Sequence, residues 1–328
     1  MRKVISDILS EHLEIEIIGM ASNGEEGSSM AAALKPDVVV TDMVMPKYDG
    51  LHVVKSIMAD NPVPIILLSS LEKSNLRIFD ALENGAFEFI DKPADLDAAS
   101  IRNYALPRLI KEASRADISL LKAKWNKKSI HHRTYKNTSH YDIVAIGAST
   151  GGPTAIEYIV SNLPLNTNIP VVIAQHMPAR FLETFTERLN DQCALPVMLG
   201  RKGIHLKGGV IYIAPGEGNM KIERSVVDHS PLISFTQKKF NEFNFPSINC
   251  LFHSVAETYG NKSMGVILTG MGRDGAEGLS SIKAKGGCAV AQDEYTSIVY
   301  GMPKAAVEGG VHHILPLHDI PGFIASCL

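Results

Sequence analysis

What most constrains this chain is a pattern it uses twice: a short apolar run, then a turn, then a segment of helical periodicity. Within residues 14–93 the apolar runs fall at 16–20, 38–41, 65–69 and 87–90. From Tyr141 the pattern starts again, with runs at residues 142–147, 170–175 and 264–269, each followed by a turn and a helical stretch. Apolar runs of this length without alternation describe strands buried on both faces. Strands that alternate with helices form parallel sheets, because the crossover helices cover both sides of the sheet. The expected fold class is therefore α/β in both halves. The N-terminal parallel-sheet domain is expected over residues 1–110 and a doubly wound parallel-sheet domain over residues 140–328. A length of 328 residues agrees, since single cores stop growing at roughly 250–300 residues.

Between the two halves, residues 111–139 hold few large apolar side chains and many basic ones, among them Lys122, Lys124, Lys127, Lys128, Arg133 and Lys136. Such a stretch reads as a solvated linker. A net charge of -3 gives no case for nucleic acid as a partner. The cysteines Cys193, Cys250, Cys288 and Cys327 lie far apart without a CxxC pair, which argues against a zinc site or a disulfide framework and fits a reducing cytoplasm. No apolar stretch approaches the roughly 18–20 residues that cross a bilayer, so the chain is not expected to span one. The first residues mix charges with apolar positions at helical spacing instead of forming the apolar core of a signal peptide. A cytoplasmic location is expected.

Chemistry enters at Gly147-Ala-Ser149-Thr-Gly151, a G-x-S-x-G pattern directly after an apolar strand. A tight strand-to-helix turn lifts a serine hydroxyl above the sheet edge, and the flanking glycines let neighbouring backbone approach closely. Amides at the start of the next helix then face a developing oxyanion. The same turn also suits a phosphate-binding loop, but no Gly-Lys-Ser/Thr follows and the G-x-G-x-x-G spacing is missing. His176 supplies a base at the end of the run 170–175, and Asp274 follows the run 264–269 on the turn Gly270-Met-Gly-Arg-Asp-Gly275. Ligands and catalytic groups gather at the carboxyl edge of a parallel sheet, so three strand ends carry a nucleophile, a base and an orienting acid. Each has an ordinary alternative: Ser149 and Asp274 also suit helix caps. His205, His229, His253, His312, His313 and His318 are rival bases, but none ends so apolar a strand. The order Ser, His, Asp differs from that of α/β-hydrolases, so a different α/β arrangement is expected.

Six segments in the second half, in order, resemble the chemotaxis response-regulator protein-glutamate methylesterases: Gly147-Ala-Ser-Thr-Gly-Gly-Pro153, Gln175-His-Met-Pro178, Ile213-Ala-Pro-Gly216, Leu268-Thr-Gly-Met-Gly-Arg-Asp-Gly275, Ala291-Gln-Asp-Glu294 and Gly301-Met-Pro303. The resemblance covers almost the whole chain. It implies Ser149 as nucleophile, His176 as base and Asp274 as its orienting acid, with Thr150 and Met271 giving backbone donors to an oxyanion hole. The implied substrates are glutamyl methyl esters on methyl-accepting chemotaxis receptors. The resemblance also implies deamidation of certain receptor glutamines by the same chemistry, with no cofactor needed for catalysis. The competing reading is a non-enzymatic response regulator whose C-terminal domain binds a partner or a nucleotide.

The first half resembles a response-regulator receiver of flavodoxin-like fold. Asp42 matches the phosphoacceptor, fed by a chemotaxis histidine kinase. Ser69, Phe89 and Lys92 match the switch hydroxyl, the switch aromatic and the lysine that pairs with the phosphoryl group. Receivers open with an apolar strand ending in two acidic residues that help to hold Mg²⁺, whereas Met1-Arg-Lys-Val-Ile5 already has the character of the helix that follows it. A receiver sheet lacking its first strand is therefore expected, with two readings open: a sequence written from a late start, or a degenerate receiver. Either implies weak Mg²⁺ binding at Asp42.

Overall fold

The computed structural model describes residues 1–69, 75–93, 104–122, 140–238, 240 and 246–328. The chain divides into two compact units, Met1–Lys124 and Trp125–Leu328.

In the first unit β1 (Val39–Asp42), β2 (Ile65–Ser69) and β3 (Glu88–Asp91) form a parallel sheet in the order β1-β2-β3. The helices are α1 (Arg2–Ser10), α2 (Gly24–Leu34), α3 (Gly50–Asp60), α4 (Asn75–Glu83), α5 (Leu106–Ala113) and α6 (Ile118–Lys122). Side chains cap two of the crossovers: Asn23 accepts the Glu26 amide at α2, and Asp49 accepts the His52 amide at α3. The central strand β2 is buried throughout, whereas Val39 and Val40 of β1 are only half-buried.

Two expectations need correcting in this unit. Residues 16–20, expected as a strand, join no ladder and leave Ile17, Ile18 and Met20 37%, 46% and 56% exposed. A strand needs a neighbour for its backbone groups, and among the described residues none lies between this run and β1. Instead both line a cavity of about 820 Å³, together with Ile5 and Leu9 of α1. The second correction concerns the boundary at residue 110. Helix α6 carries the first unit to Lys122, with Leu121 buried, so ordered structure runs into the expected linker. The remainder of that linker, residues 123–139, lies outside the described residues.

The second unit is built on a seven-stranded sheet in the order β12-β11-β10-β4-β5-β7-β6, parallel at every pairing. Its strands are β4 (Ile143–Ala148), β5 (Val171–Gln175), β6 (Val197–Leu199), β7 (Ile211–Ile213), β10 (Ser263–Ile267), β11 (Cys288–Gln292) and β12 (His313–Leu315). An antiparallel hairpin, β8 (Asn219–Arg224) with β9 (Pro231–Thr236), stands apart from this sheet. The helices are α7 (Gly152–Ser161), α8 (Ala179–Gln192), α9 (Ile248–Tyr259), α10 (Ala276–Ala284), α11 (Met302–Glu308) and α12 (Ile320–Ala325). Every residue of β4, β5, β10 and β11 is buried, which accounts for their unbroken apolar sequence. Phe252 and Val255 of α9 and Leu279 and Ile282 of α10 join Ile143, Ala145 and Val172 of the sheet in one apolar core.

From β4 the chain builds the sheet in one direction through β5 and β7, then returns to add β10, β11 and β12 on the other flank. Strand order therefore reverses at β4 and β10. In open α/β sheets the crevice outside the carboxyl ends of strands at such a reversal is where ligands bind.

Candidate active site

Ser149 is the first residue beyond β4, at that reversal. Its amide donates to the Thr269 carbonyl at 3.1 Å, beyond β10, and its own carbonyl accepts the Gly152 amide at 2.7 Å. The turn is completed by Gly151 at φ 74°, a left-handed conformation that glycine adopts without steric cost. Pro153 then sits in the first turn of α7, where a missing N–H costs nothing. The sequence folds this way locally because the strand ends in a residue pair that turns and a proline that starts the next helix.

His176 follows β5. The register pairs Ala148 with Gln175, so Ser149 and His176 occupy the next positions on neighbouring parallel strands, a separation of about 4.8 Å between strand axes. The His176 amide donates to the Ala148 carbonyl at 3.0 Å, extending that register. Asp274 lies on the turn after β10 and reaches across to the imidazole: His176 Nε2–H donates to Asp274 Oδ2 at 2.8 Å, with both side chains 2% exposed. A carboxylate only accepts, so Nε2 carries the hydrogen, and in the neutral ring Nδ1 then holds the lone pair. The structure thus brings the three strand ends together.

The rest of the Asp274 carboxylate is saturated. Oδ2 also accepts the Ile248 amide at 2.8 Å, and Oδ1 accepts the Asn249 and Gly275 amides, each at 2.9 Å. The Ser247 hydroxyl donates to Oδ1 at 3.4 Å. Ser247, Ile248 and Asn249 are the N-cap and first residues of α9, so the carboxylate rests on the positive end of a 12-residue helix. Burial pushes the Asp274 carboxyl up, but the hydrogen bond and charge of His176, with the Asn249 and Ile248 amides, outweigh it and hold the group below its ordinary value. Sequence reasoning missed this helix terminus. Its signal was Ser247 ahead of an apolar helical run, the mark of an N-cap.

Thr150, next in sequence to Ser149, is buried, and Met271 is half-buried, following Gly270, whose added Cβ would lie 2.7 Å from the Ser149 Cβ. Among the described residues neither of their amides donates within the protein. The Thr150 carbonyl accepts the Thr269 hydroxyl at 3.0 Å, and the same hydroxyl accepts the Val299 amide at 2.9 Å. These bonds tie the loop before α11 to the turn after β4. Three of the six rival histidines have structural bonds elsewhere: His205 to Ser230, His253 to Ser281 and His312 to the Ala289 amide.

In the first unit Asp42 ends β1, Ser69 ends β2 and Lys92 follows β3, all at one carboxyl edge. Asp42 Oδ1 accepts the Val44 amide at 3.0 Å, and Oδ2 is paired with the Lys92 ammonium. Ser69 is 1% exposed, and the Phe89 ring is buried on β3. Among the described residues no group of three or more His, Cys, Asp or Glu is placed to hold a metal ion. Asp42 is thus a single carboxylate with one oxygen engaged by an ammonium, whereas Mg²⁺ takes octahedral oxygen ligands, one or two of them carboxylates and several of them waters. No helix among the described residues is long and apolar enough to cross a membrane.

Both units have counterparts among known proteins. The family model described as CheB methylesterase matches residues 144–324, and that of the response regulator receiver domain matches residues 1–102. A protein-glutamate methylesterase/protein-glutamine glutaminase of Lawsonia intracellularis is 38% identical over 344 residues, spanning 100% of this chain and 96% of that protein. One from Archaeoglobus fulgidus is 37% identical, covering 98% of this chain and 93% of its own. The crystal structure of the Thermotoga maritima CheB methylesterase catalytic domain covers 57% of this chain and 99% of its own, at 35% identity and a TM-score of 0.55.

Proposed function

The chain belongs to the CheB methylesterase family, and from that premise we propose that it hydrolyses glutamyl methyl esters on chemotaxis receptors through Ser149, His176 and Asp274. The observation that carries this reading is the buried 2.8 Å bond from His176 to Asp274, one register step from Ser149. Nδ1 of His176 takes the Ser149 proton as Oγ bonds to the ester carbonyl carbon. Asp274 fixes the tautomer and stabilises the imidazolium that results. The Thr150 and Met271 amides donate to the oxyanion, which bears full charge only in the tetrahedral state. Collapse of that state breaks the bond to methoxide, which leaves as methanol with the proton from Nδ1. Water then repeats the sequence to free the glutamate and Ser149. With a glutamine side chain the leaving group is ammonia, so deamidation follows from the same machinery.

The test is methanol release from methylated receptor. Ser149→Ala is expected to lower it by at least about 10³-fold. Methanol release preserved in that variant would refute the reading.

The first unit is proposed as the regulator, with Asp42 accepting phosphate from a chemotaxis histidine kinase. The pairing of Lys92 with Asp42 supports this, as does the position of Ser69 on the same edge. Ser69 and Phe89 are proposed to carry the switch. The donor set around Asp42 predicts weak Mg²⁺-dependent phosphorylation and an esterase largely independent of phosphodonor. Strong Mg²⁺-dependent labelling of Asp42 by acetyl phosphate would overturn that expectation.

A further inference from the structure

An oxyanion hole made of backbone amides is only as good as the aim of its peptide planes. In a planar trans peptide the N–H points opposite to the C=O of the preceding residue, so whatever grips that carbonyl sets the direction of the donor. For Met271 the carbonyl belongs to Gly270 and is held by backbone alone, the Met302 amide at 2.8 Å and the Gly301 amide at 3.2 Å. For Thr150 the carbonyl is that of Ser149 itself. It accepts the Gly152 amide at 2.7 Å and a side chain, Gln175 Nε2, at 2.9 Å.

Gln175 is 1% exposed at the end of a strand whose other residues are all apolar. Its second N–H donates to the His176 carbonyl at 3.0 Å, so one amide group joins the peptide after the serine to the residue that carries the imidazole. Its Oε1 is buried with no hydrogen-bond partner. The backbone next to it is cleared for this group: a Cβ on Gly152 would lie 2.1 Å from Gln175 Oε1. An apolar side chain would fill the space without a stranded oxygen, so packing alone does not account for a glutamine here. What the amide adds is two donors, aimed at the carbonyls of Ser149 and His176.

We propose that Gln175 is a positioning residue of the oxyanion hole: it holds the Ser149 carbonyl so that the Thr150 N–H points at the tetrahedral intermediate. The bond to that carbonyl also polarises the peptide, making the Thr150 N–H a stronger donor as charge develops. This inference rests on the assignment of Ser149 and Thr150 made above.

The experiment uses the full chain with Gln175→Leu, and Gln175→Met as a second variant of similar volume in case the first folds poorly. Both remove the two donors and the stranded oxygen. The expected result is a kcat about 10- to 100-fold lower, with KM within about twofold. Affinity for a trifluoromethyl ketone analogue of the glutamyl ester, which forms an oxyanion on Ser149, is expected to fall by the same factor. The acid limb of the kcat–pH profile stays in place, because the imidazole keeps its carboxylate. An unchanged kcat in either folded variant would overturn the proposal. So would a loss of kcat with analogue affinity intact, or a displaced acid limb, since both would mean that Gln175 acts through His176. Ser149→Ala separates the two layers: turnover or analogue adduct persisting there would remove the parent assignment, and the Gln175 proposal with it.

Discussion

Asp274→Asn changes one atom of the site, and its effect can be worked from the hydrogen bonds. The asparagine oxygen can occupy either carboxylate position. Placed at Oδ2 it keeps His176 and Ile248, but its NH₂ then faces two backbone donors, Asn249 and Gly275. Placed at Oδ1 it keeps those two and orphans only the Ile248 amide. One buried unsatisfied donor costs about 1–3 kcal/mol, which favours the second placement by about 5- to 150-fold. In that placement the NH₂ donates to His176 Nε2, so the ring hydrogen moves to Nδ1 and the base can no longer accept the serine proton. The loss of a charged partner for the imidazolium removes about a further 1.5–3 kcal/mol. Together these lower kcat by about 10²–10⁴-fold, close to the ~10⁴ seen for the same exchange in a serine hydrolase of unrelated fold. Methyl ester turnover under saturating substrate measures it, with denaturant unfolding as the control for folding. A variant retaining more than a tenth of the activity would refute the tautomer argument.

Gly152→Ala places a methyl 2.1 Å from Gln175 Oε1 and 2.8 Å from the Ala148 side chain. It is expected to lower stability by about 1–3 kcal/mol in denaturant unfolding and to cut kcat. Ser247→Ala removes the cap that accepts the Cys250 amide, with an expected loss of about 1 kcal/mol by the same measurement. The carboxyl of Asp274 is held below its ordinary value in the fold. Its contribution to stability is therefore fully present above about pH 4 and is lost as pH falls through the depressed value. The stability difference between the protein and Asp274→Asn should accordingly shrink below about pH 4, and a difference constant down to pH 2 would contradict this.

The strands that carry the site were legible because burial on both faces leaves no room for polar residues: runs 142–147, 170–175 and 264–269 became β4, β5 and β10 within a residue or two. That Ser149, His176 and Asp274 would meet at one sheet edge was legible for the same reason, since the first two stand just past such runs and the third on the turn after one. Short strands were not. Val197–Leu199 and Ile211–Ile213 have three residues each, and the first exposes Met198, so no period can be read from them. The helix terminus that binds Asp274 was hidden because Ile248 and Asn249 lie 26 and 25 residues away from it in sequence. Residues 16–20 show the reverse case. Their composition is that of a strand, but a ladder is a property of two segments, and the local sequence says nothing of the second.

The central claim is that Ser149 is the nucleophile and His176 its base, and covalent capture tests it most directly. The native protein, treated with a fluorophosphonate and mapped by peptide mass, should carry one adduct, on Ser149. The adduct should disappear in His176→Ala. Continued ester hydrolysis with Ser149 unlabelled, or an adduct on a different residue that tracks the loss of activity, would contradict the account.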